Sequence, residues 1–202
     1  MGEGDGLSYG GRTSLSGTSL ADPVADDMPR RPRGTTGGFA YHVLNRAVRR
    51  ATLFESDWEY AKFEELISQA LRRVPLSLFA YCAMPNHWHL VVWCCGDNDL
   101  PRFMHWLTMR HAQYWHFQRG TTGTGPVYQG RYKAVRIESD EHFLVACRYV
   151  ERNPVKAQLV TDVEEWRWSS IWRRAHHCTD GLLHTWPVTT PADWVATLNT
   201  LK

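Results

Sequence analysis

The sequence predicts an α+β domain built on an antiparallel sheet, and two kinds of pattern support this prediction. Short segments of alternating apolar and polar residues are typical of strands with one buried face. Longer segments with apolar residues at i, i+3 and i+4 are typical of amphipathic helices. With 202 residues, 43% of them hydrophobic, the chain is long enough for one well-packed domain and short for two.

The first half of the chain predicts a strand, a helix and a hairpin. Residues 39–46 alternate as a first strand, and residues 57–74 carry a helical apolar stripe. Residues 76–83 and 87–94 form two further strands, and the turn residues 84–86 between them make these strands antiparallel neighbours.

The second half predicts a helix, a strand and a final helix. A helical stripe covers residues 100–117, and a strand at residues 132–138 follows a Gly/Thr-rich loop. Ser139 is a plausible N-cap for the last helix, and Pro154 disfavours helical geometry at Asn153, where this helix should end. The βαββαβ order with an additional C-terminal helix is the ferredoxin-like arrangement, an antiparallel sheet with helices on one face. Since that class hosts many functions, it does not establish one.

Two histidines open the predicted third strand. His87 and His89 lie at i and i+2, so their imidazoles share one face of the strand. Such a pair can hold one metal ion, because imidazole is a common nitrogen ligand, although paired histidines on strands are often structural.

The final predicted helix carries a second pair of candidate functional residues. Tyr149 and Asn153 are four residues apart and share one helix face. A tyrosine near a helix end is usually an interface aromatic, and Asn before Pro is a common helix stop. Together with the histidines, however, a phenol and an amide oxygen suggest metal-assisted attack on a phosphodiester.

These residues lie within six ordered blocks that resemble the single-tyrosine HUH transposases and, within them, the REP-associated tyrosine transposases. The resemblance covers roughly residues 28–175. Two departures are the bulky Trp88 between the histidines, which should point away from a metal, and Ala47 in place of a common glycine. The blocks are residues 28–33, 41–46, 84–89, 129–133, 148–156 and 168–170.

The resemblance implies a mechanism. It makes His87 and His89 the metal-binding pair, Tyr149 the catalytic nucleophile and Asn153 a further metal ligand. The implied metal is Mg²⁺ or Mn²⁺, and no nucleotide cofactor is needed because one phosphodiester is exchanged for another. The implied reaction is cleavage of single-stranded DNA at hairpins, such as repetitive extragenic palindromes, through a 5′-phosphotyrosine link.

Basic residues flank the proposed site and are interpreted as DNA contacts, although charged residues are by default simply solvated. The implied partners are single-stranded DNA hairpins and not a membrane, and we expect a monomer rather than a dimer. The predicted DNA-binding residues are Arg46, Arg49, Arg50, Arg131, Lys133, Arg136, Arg148, Arg152 and Lys156.

Charge and composition divide the chain into three parts. Residues 1–27 carry a net charge of −4 and are rich in Gly, Ser and Thr, which predicts a disordered extension; the rest of the chain carries +6, since the whole chain carries +2. Residues 28–175 are the transposase-like domain and residues 176–202 a Trp-containing tail. We expect most of the ten tryptophans to cap the sheet or pin the tail rather than stack on bases. The chain has no signal-like opening, so we expect it to be cytoplasmic.

Two other functions compete with this interpretation. A hairpin-binding module without cleavage activity would bind DNA independently of metal, but the aromatic motif of RNA-recognition sheets is absent. A zinc hydrolase would need a spacing such as H-E-x-x-H, which the sequence lacks.

Overall fold

Four antiparallel strands in the order β2-β3-β1-β4 form the centre of the fold. The structure is a computed structural model that describes residues 35–200, so the predicted extension at residues 1–27 lies outside the described residues. The strands are β1 (Phe39–Arg46), β2 (Leu76–Met84), β3 (His87–Cys94) and β4 (Lys133–Ile137). The helices are α1 (Asp57–Arg73), α2 (Asp99–Arg119), α3 (Asp140–Glu151), α4 (Asn153–Lys156), α5 (Ser170–Ala175) and α6 (Trp194–Thr200).

The strand order confirms the predicted ferredoxin-like fold. β2 and β3 form a hairpin, and β1 inserts between β3 and β4, so that every neighbouring pair is antiparallel. In the β1–β3 register Leu44 lies opposite His89, and Arg46 lies opposite His87. The C-terminal end of β1 therefore lies beside the start of β3, where His87 and His89 lie.

Helices cover both faces of the sheet. α1 and α2 pack on one face, here the α1–α2 face, over a core that includes Phe63, Leu78 and Leu107. α3 packs on the opposite face, the α3 face, over a second core that includes Ala80 and Val91. The expectation of helices on one face is thus correct for α1 and α2 only. β2 and β3 bury almost every residue, so both of their faces need an apolar cover.

The predicted end of the tyrosine helix at Asn153 is wrong in detail. α3 ends at Glu151, and a further helical turn, α4, contains Asn153 with Pro154 in its first turn. Proline is tolerated there because the first amide groups of a helix have no intrahelical acceptor. The chain therefore continues in helical form past the tyrosine.

The C-terminal segment packs on the α3 face. Trp186, Trp194 and Leu198 are buried in the second core. Trp186 Nε1 donates a hydrogen bond to the Phe79 carbonyl oxygen at 2.9 Å, and Trp166 Nε1 donates to that of Ala83 at 2.9 Å. Trp186 thus pins the predicted C-terminal tail to β2, and Trp166 pins the segment that precedes the tail. Within residues 35–200, no helix is both long and apolar enough to cross a membrane.

Candidate active site

The histidine pair opens β3 on the α3 face of the sheet. Trp88, between the two histidines, points to the α1–α2 face, where it is fully buried. Its Nε1 donates to Tyr128 Oη at 3.1 Å, and that oxygen lies 2.6 Å from His111 Nδ1. These buried hydrogen bonds hold β3 from the α1–α2 face and keep the bulky Trp88 away from the imidazoles.

A third histidine, His42 on β1, completes the cluster. Its Nε2 lies 3.0 Å from His89 Nδ1, and the two ring centroids are 5.2 Å apart. Sequence reasoning did not single out His42, because its proximity to His89 depends on the β1–β3 register. The sequence signals were its position in the alternating pattern of the first strand and its place in the family-like block at residues 41–46.

Tyr149 lies directly against these histidines. Its ring centroid is 5.4 Å from that of His89 and 5.6 Å from that of His42, in edge-to-face geometry. The Lys156 ammonium lies 5.5 Å from the centre of the tyrosine ring. Tyr149 is 45% exposed although neighbouring residues of α3, such as Val150, are fully buried. α3 therefore presents the phenol to solvent and to the rings of His89 and His42.

Asn153 is held close to the same cluster. Its side chain is largely buried, and its Nδ2 donates to the Tyr149 carbonyl oxygen at 2.9 Å. That bond uses one of the two N–H groups of the amide, and the amide oxygen remains available as an acceptor. A side-chain hydrogen bond between Asn153 and His87 acts to raise the pKa of His87. The structure thus brings together all four residues of the predicted catalytic and metal site.

Burial keeps the imidazoles neutral. It lowers the pKa of His87 and of His42 to about 4, with the Arg46 charge adding to the effect at His87 and His142 adding to it at His42. The pKa of His89 is lowered well below its usual value, first by burial and then by the nearby rings and Arg46. All three rings are therefore neutral at pH 7, as metal ligation requires.

One atom of the proposed metal-binding residues, the His89 Nε2, is in the state expected of a metal ligand. His89 is only 2% exposed, and its Nε2 is buried without a hydrogen-bond partner in the described part of the chain. A buried polar atom in this state is rare and calls for a ligand. Between residues 35 and 200, no three His, Cys, Asp or Glu side chains form a metal-binding group. An ion here would need His87, His89 and the amide oxygen of Asn153.

A cavity of about 410 Å³ opens beside the cluster. His89 and Tyr149 line it together with three of the predicted DNA-binding residues, Arg46, Arg131 and Lys133. Tyr149, His89 and three basic side chains thus face a common space.

A second cavity, of about 330 Å³, lies beside His87. Arg46 and Arg50 line it, so Arg46 borders the cavities on both sides of the histidine pair. The Arg46 Nε is buried and has no hydrogen-bond partner among residues 35–200. Arg49 is exposed on the short turn after β1 and lines neither cavity.

The remaining basic residues differ in their surroundings. Arg148, Arg152 and Lys156 line a groove on the outer side of Tyr149, although the Arg152 Nε also donates to the Leu198 carbonyl oxygen at 3.0 Å. Arg136 forms an ion pair with Glu138 at 2.7 Å. Of the predicted DNA contacts, Arg49 and Arg136 are therefore the two that line none of these three spaces.

Ala47 follows β1 without strain. Its φ is −62° and its ψ is 146°, which any residue adopts, so a glycine is not required there. Its amide donates to the Asn86 carbonyl oxygen at 3.0 Å, which ties the end of β1 to the turn before His87.

Comparison with known proteins places the chain in a family. The family model described as "Transposase IS200 like" matches residues 35–153, more than half of the chain, and this range includes both histidines, Tyr149 and Asn153. A REP-associated tyrosine transposase of Escherichia coli (strain K12) is 24% identical over 137 residues, which is 68% of this chain and 78% of the relative. The solved structure of a REP-associated tyrosine transposase bound to a REP hairpin has a TM-score of 0.59 and 20% identity, covering 82% of this chain and 95% of that one. That likeness shows a shared fold, and the family match shows that this chain belongs to the IS200-like transposases.

Proposed function

We propose that this chain cleaves and rejoins single-stranded DNA at the foot of hairpins, such as repetitive extragenic palindromes, with Tyr149 as the nucleophile. The observation that carries the proposal is the position of Tyr149. Its ring lies 5.4 Å from that of His89, and it is 45% exposed beside a cavity that also contains Arg131 and Lys133. A purely structural tyrosine would not need this combination of solvent access, imidazole contact and surrounding positive charge.

In the proposed step, the Tyr149 hydroxyl gives up its proton and attacks the scissile phosphorus. A bond forms between the phenolic oxygen and phosphorus, the bond from phosphorus to the 3′ oxygen breaks, and the departing 3′ oxygen takes up a proton. The products are a 5′-phosphotyrosine link and a free 3′-hydroxyl. Because one phosphodiester replaces another, the reverse reaction can join the DNA to a different 3′ end.

Residues His87, His89 and Asn153 would hold a divalent ion, Mg²⁺ or Mn²⁺. When bound, the ion supplies Lewis-acid polarisation of the phosphate. The chain itself offers two neutral imidazoles and an amide oxygen, and the His89 Nε2 is already buried without a partner among the described residues. This ligand set carries no negative charge, and Arg46 lies close enough to lower the pKa of both histidines. The DNA phosphate would supply the missing negative charge.

Basic residues around the cavity would bind the DNA backbone. Arg46 borders the spaces on both sides of the histidine pair and is suited to the scissile phosphate. Arg131 and Lys133 line the 410 Å³ cavity together with Tyr149 and are suited to the hairpin, a partner seen in the related complex. Since the tyrosine and histidines of one chain lie together, the site needs no second copy, which supports action as a monomer.

The test is covalent trapping. The purified protein, with Mg²⁺ or Mn²⁺, is mixed with labelled single-stranded hairpins from the flanks of its own gene and resolved on denaturing gels. We expect a metal-dependent adduct that is lost in Tyr149→Phe. Tyr114→Phe is the matched control, because Tyr114 lies on α2 and its hydroxyl has no partner within the described residues. Hairpin binding without any adduct would instead favour a binding module that does not cleave.

A further inference from the structure

We propose that His42 is a positioning residue that holds His89 in the ring tautomer whose Nε2 can bind a metal. The inference rests on the proposed function of His87 and His89 as a metal site. His42 would touch neither the metal nor the DNA, and it would act only through the Nδ1 atom of His89.

The geometry of the two rings supports a directed hydrogen bond. His42 Nε2 and His89 Nδ1 are 3.0 Å apart, which is a usual length for a bond of this type. The ring centroids are 5.2 Å apart with an angle of 26° between the planes. Since the centroids lie much farther apart than the nitrogens, the rings meet edge to edge, with the two nitrogens facing each other.

The position of one proton decides whether His89 can bind a metal. A neutral imidazole carries a single N–H, so either ring can be the donor across this 3.0 Å contact. If His89 Nδ1–H donates to His42 Nε2, the His89 Nε2 keeps its lone pair and can accept a cation. If His42 Nε2–H donates instead, the His89 Nε2 carries the proton, and this buried N–H has no acceptor within residues 35–200. The first arrangement is the one that a metal ligand requires, and a ligating histidine commonly donates its other N–H to such a partner.

His42 does not fit the role of a third metal ligand. Its Nε2 is already directed at His89 Nδ1. Across residues 35–200, no three His, Cys, Asp or Glu side chains are arranged to hold one ion, although His42, His87 and His89 are neighbours. The ring therefore supports a ligand and is not itself one.

The test compares two substitutions of His42 in the full-length protein. His42→Phe keeps a flat ring of similar size but removes the acceptor, whereas His42→Gln keeps an oxygen that can accept from His89 Nδ1–H. Two-dimensional ¹⁵N–¹H NMR of the histidine rings reports which His89 nitrogen carries the proton, with the signals assigned through His89→Ala. Co²⁺, which binds imidazole more tightly than Mn²⁺, is then titrated into each variant. Thermal unfolding by circular dichroism confirms that both variants fold.

We expect the wild type and His42→Gln to hold the proton on His89 Nδ1, and His42→Phe to shift it towards Nε2. The Co²⁺ affinity should fall about 10–100-fold in His42→Phe and much less in His42→Gln. A wild-type His89 protonated on Nε2, or an unchanged tautomer and Co²⁺ affinity in a folded His42→Phe, would overturn the inference. If Co²⁺ binding to the wild type is absent, or is not lost in His89→Ala, the proposed metal site itself fails. The NMR result still decides whether His42 sets the tautomer.

Discussion

Glu151 should be among the residues that matter most for the stability of this protein, because its buried carboxylate joins three elements. It lies on α3, two residues after the proposed nucleophile, and is fully buried. Its Oε1 accepts from Ser170 Oγ at 2.6 Å and from Arg174 Nη1 at 2.6 Å, and its Oε2 accepts from Trp194 Nε1 at 2.8 Å. One side chain thus ties the tyrosine helix to α5 and α6.

The substitution Glu151→Gln should lower the free energy of unfolding by about 3 kcal/mol. Each hydrogen bond to a charged group contributes about 1.5–3 kcal/mol, and glutamine keeps one accepting oxygen while placing an amide N–H₂ against a donor. Removing one partner of a buried ion pair costs about 3–5 kcal/mol, and Arg174 is partly exposed, which moves the estimate to the lower end. For a domain of this size the melting temperature should fall by about 6–12 °C.

The assay is urea unfolding of the wild type and the variant, followed by tryptophan fluorescence and circular dichroism. Glu65→Gln is the matched control, because Glu65 forms an exposed ion pair with Lys62 that contributes about 0.2–1 kcal/mol at most. Trp194→Phe and the double variant complete a cycle, in which we expect a coupling of about 0.5–3 kcal/mol between Glu151 and Trp194. Equal losses in Glu151→Gln and Glu65→Gln, or strictly additive effects in the cycle, would refute the reasoning.

Three further predictions concern the site and the core. Arg46→Ala should slow formation of the covalent adduct by about 10²-fold, as loss of one transition-state donor does, whereas Arg102→Ala, on an exposed side chain of α2, should leave the rate unchanged in the same gel assay. Metal and hairpin should bind cooperatively, because the proposed metal ligands carry no charge and the DNA phosphate would supply it. Calorimetry would measure the Mn²⁺ affinity of an inactive variant with and without bound hairpin DNA, and equal affinities would contradict this prediction. Burial lowers the pKa of His111 to about 3, so the ring resists protonation in the folded protein, whereas in the unfolded chain it is protonated below about pH 6.5. The free energy of unfolding should therefore be greatest above pH 6.5 and fall as the pH drops towards 3. Urea midpoints at pH 7, 6 and 5 test this, and His111→Gln should show a weaker pH dependence than the wild type.

The elements of the fold were largely predictable because their signals are local. The third strand was predicted at residues 87–94, where β3 lies, and the first helix within one residue of α1. Alternation and helical stripes depend only on neighbouring residues. The helical turn beyond Asn153 was missed because Pro154 is compatible both with a stop and with the start of a new turn. Only the packed surroundings of the chain select between the two.

The relative placement of residues within each half of the proposed site was also predictable, because it depends on short spacings along the chain. Two residues along a strand place His87 and His89 on one face, and four residues along the chain bring Asn153 to the backbone of Tyr149. The resemblance to a transposase family then connected the two pairs, which are about sixty residues apart. The roles of these four residues stay predictions until the trapping experiment is done.

The sequence by itself determined which residues are proposed to carry the chemistry and which faces of their own elements they occupy, because side-chain direction within a strand or helix follows from its period. Only the tertiary structure decided that α3 covers the face opposite α1 and α2, that His42 meets His89, and that Arg46 borders two cavities. Those contacts join residues that are far apart in the chain, and they depend on strand register and helix packing. Register and packing follow from the burial of the whole apolar surface, which no short segment specifies alone.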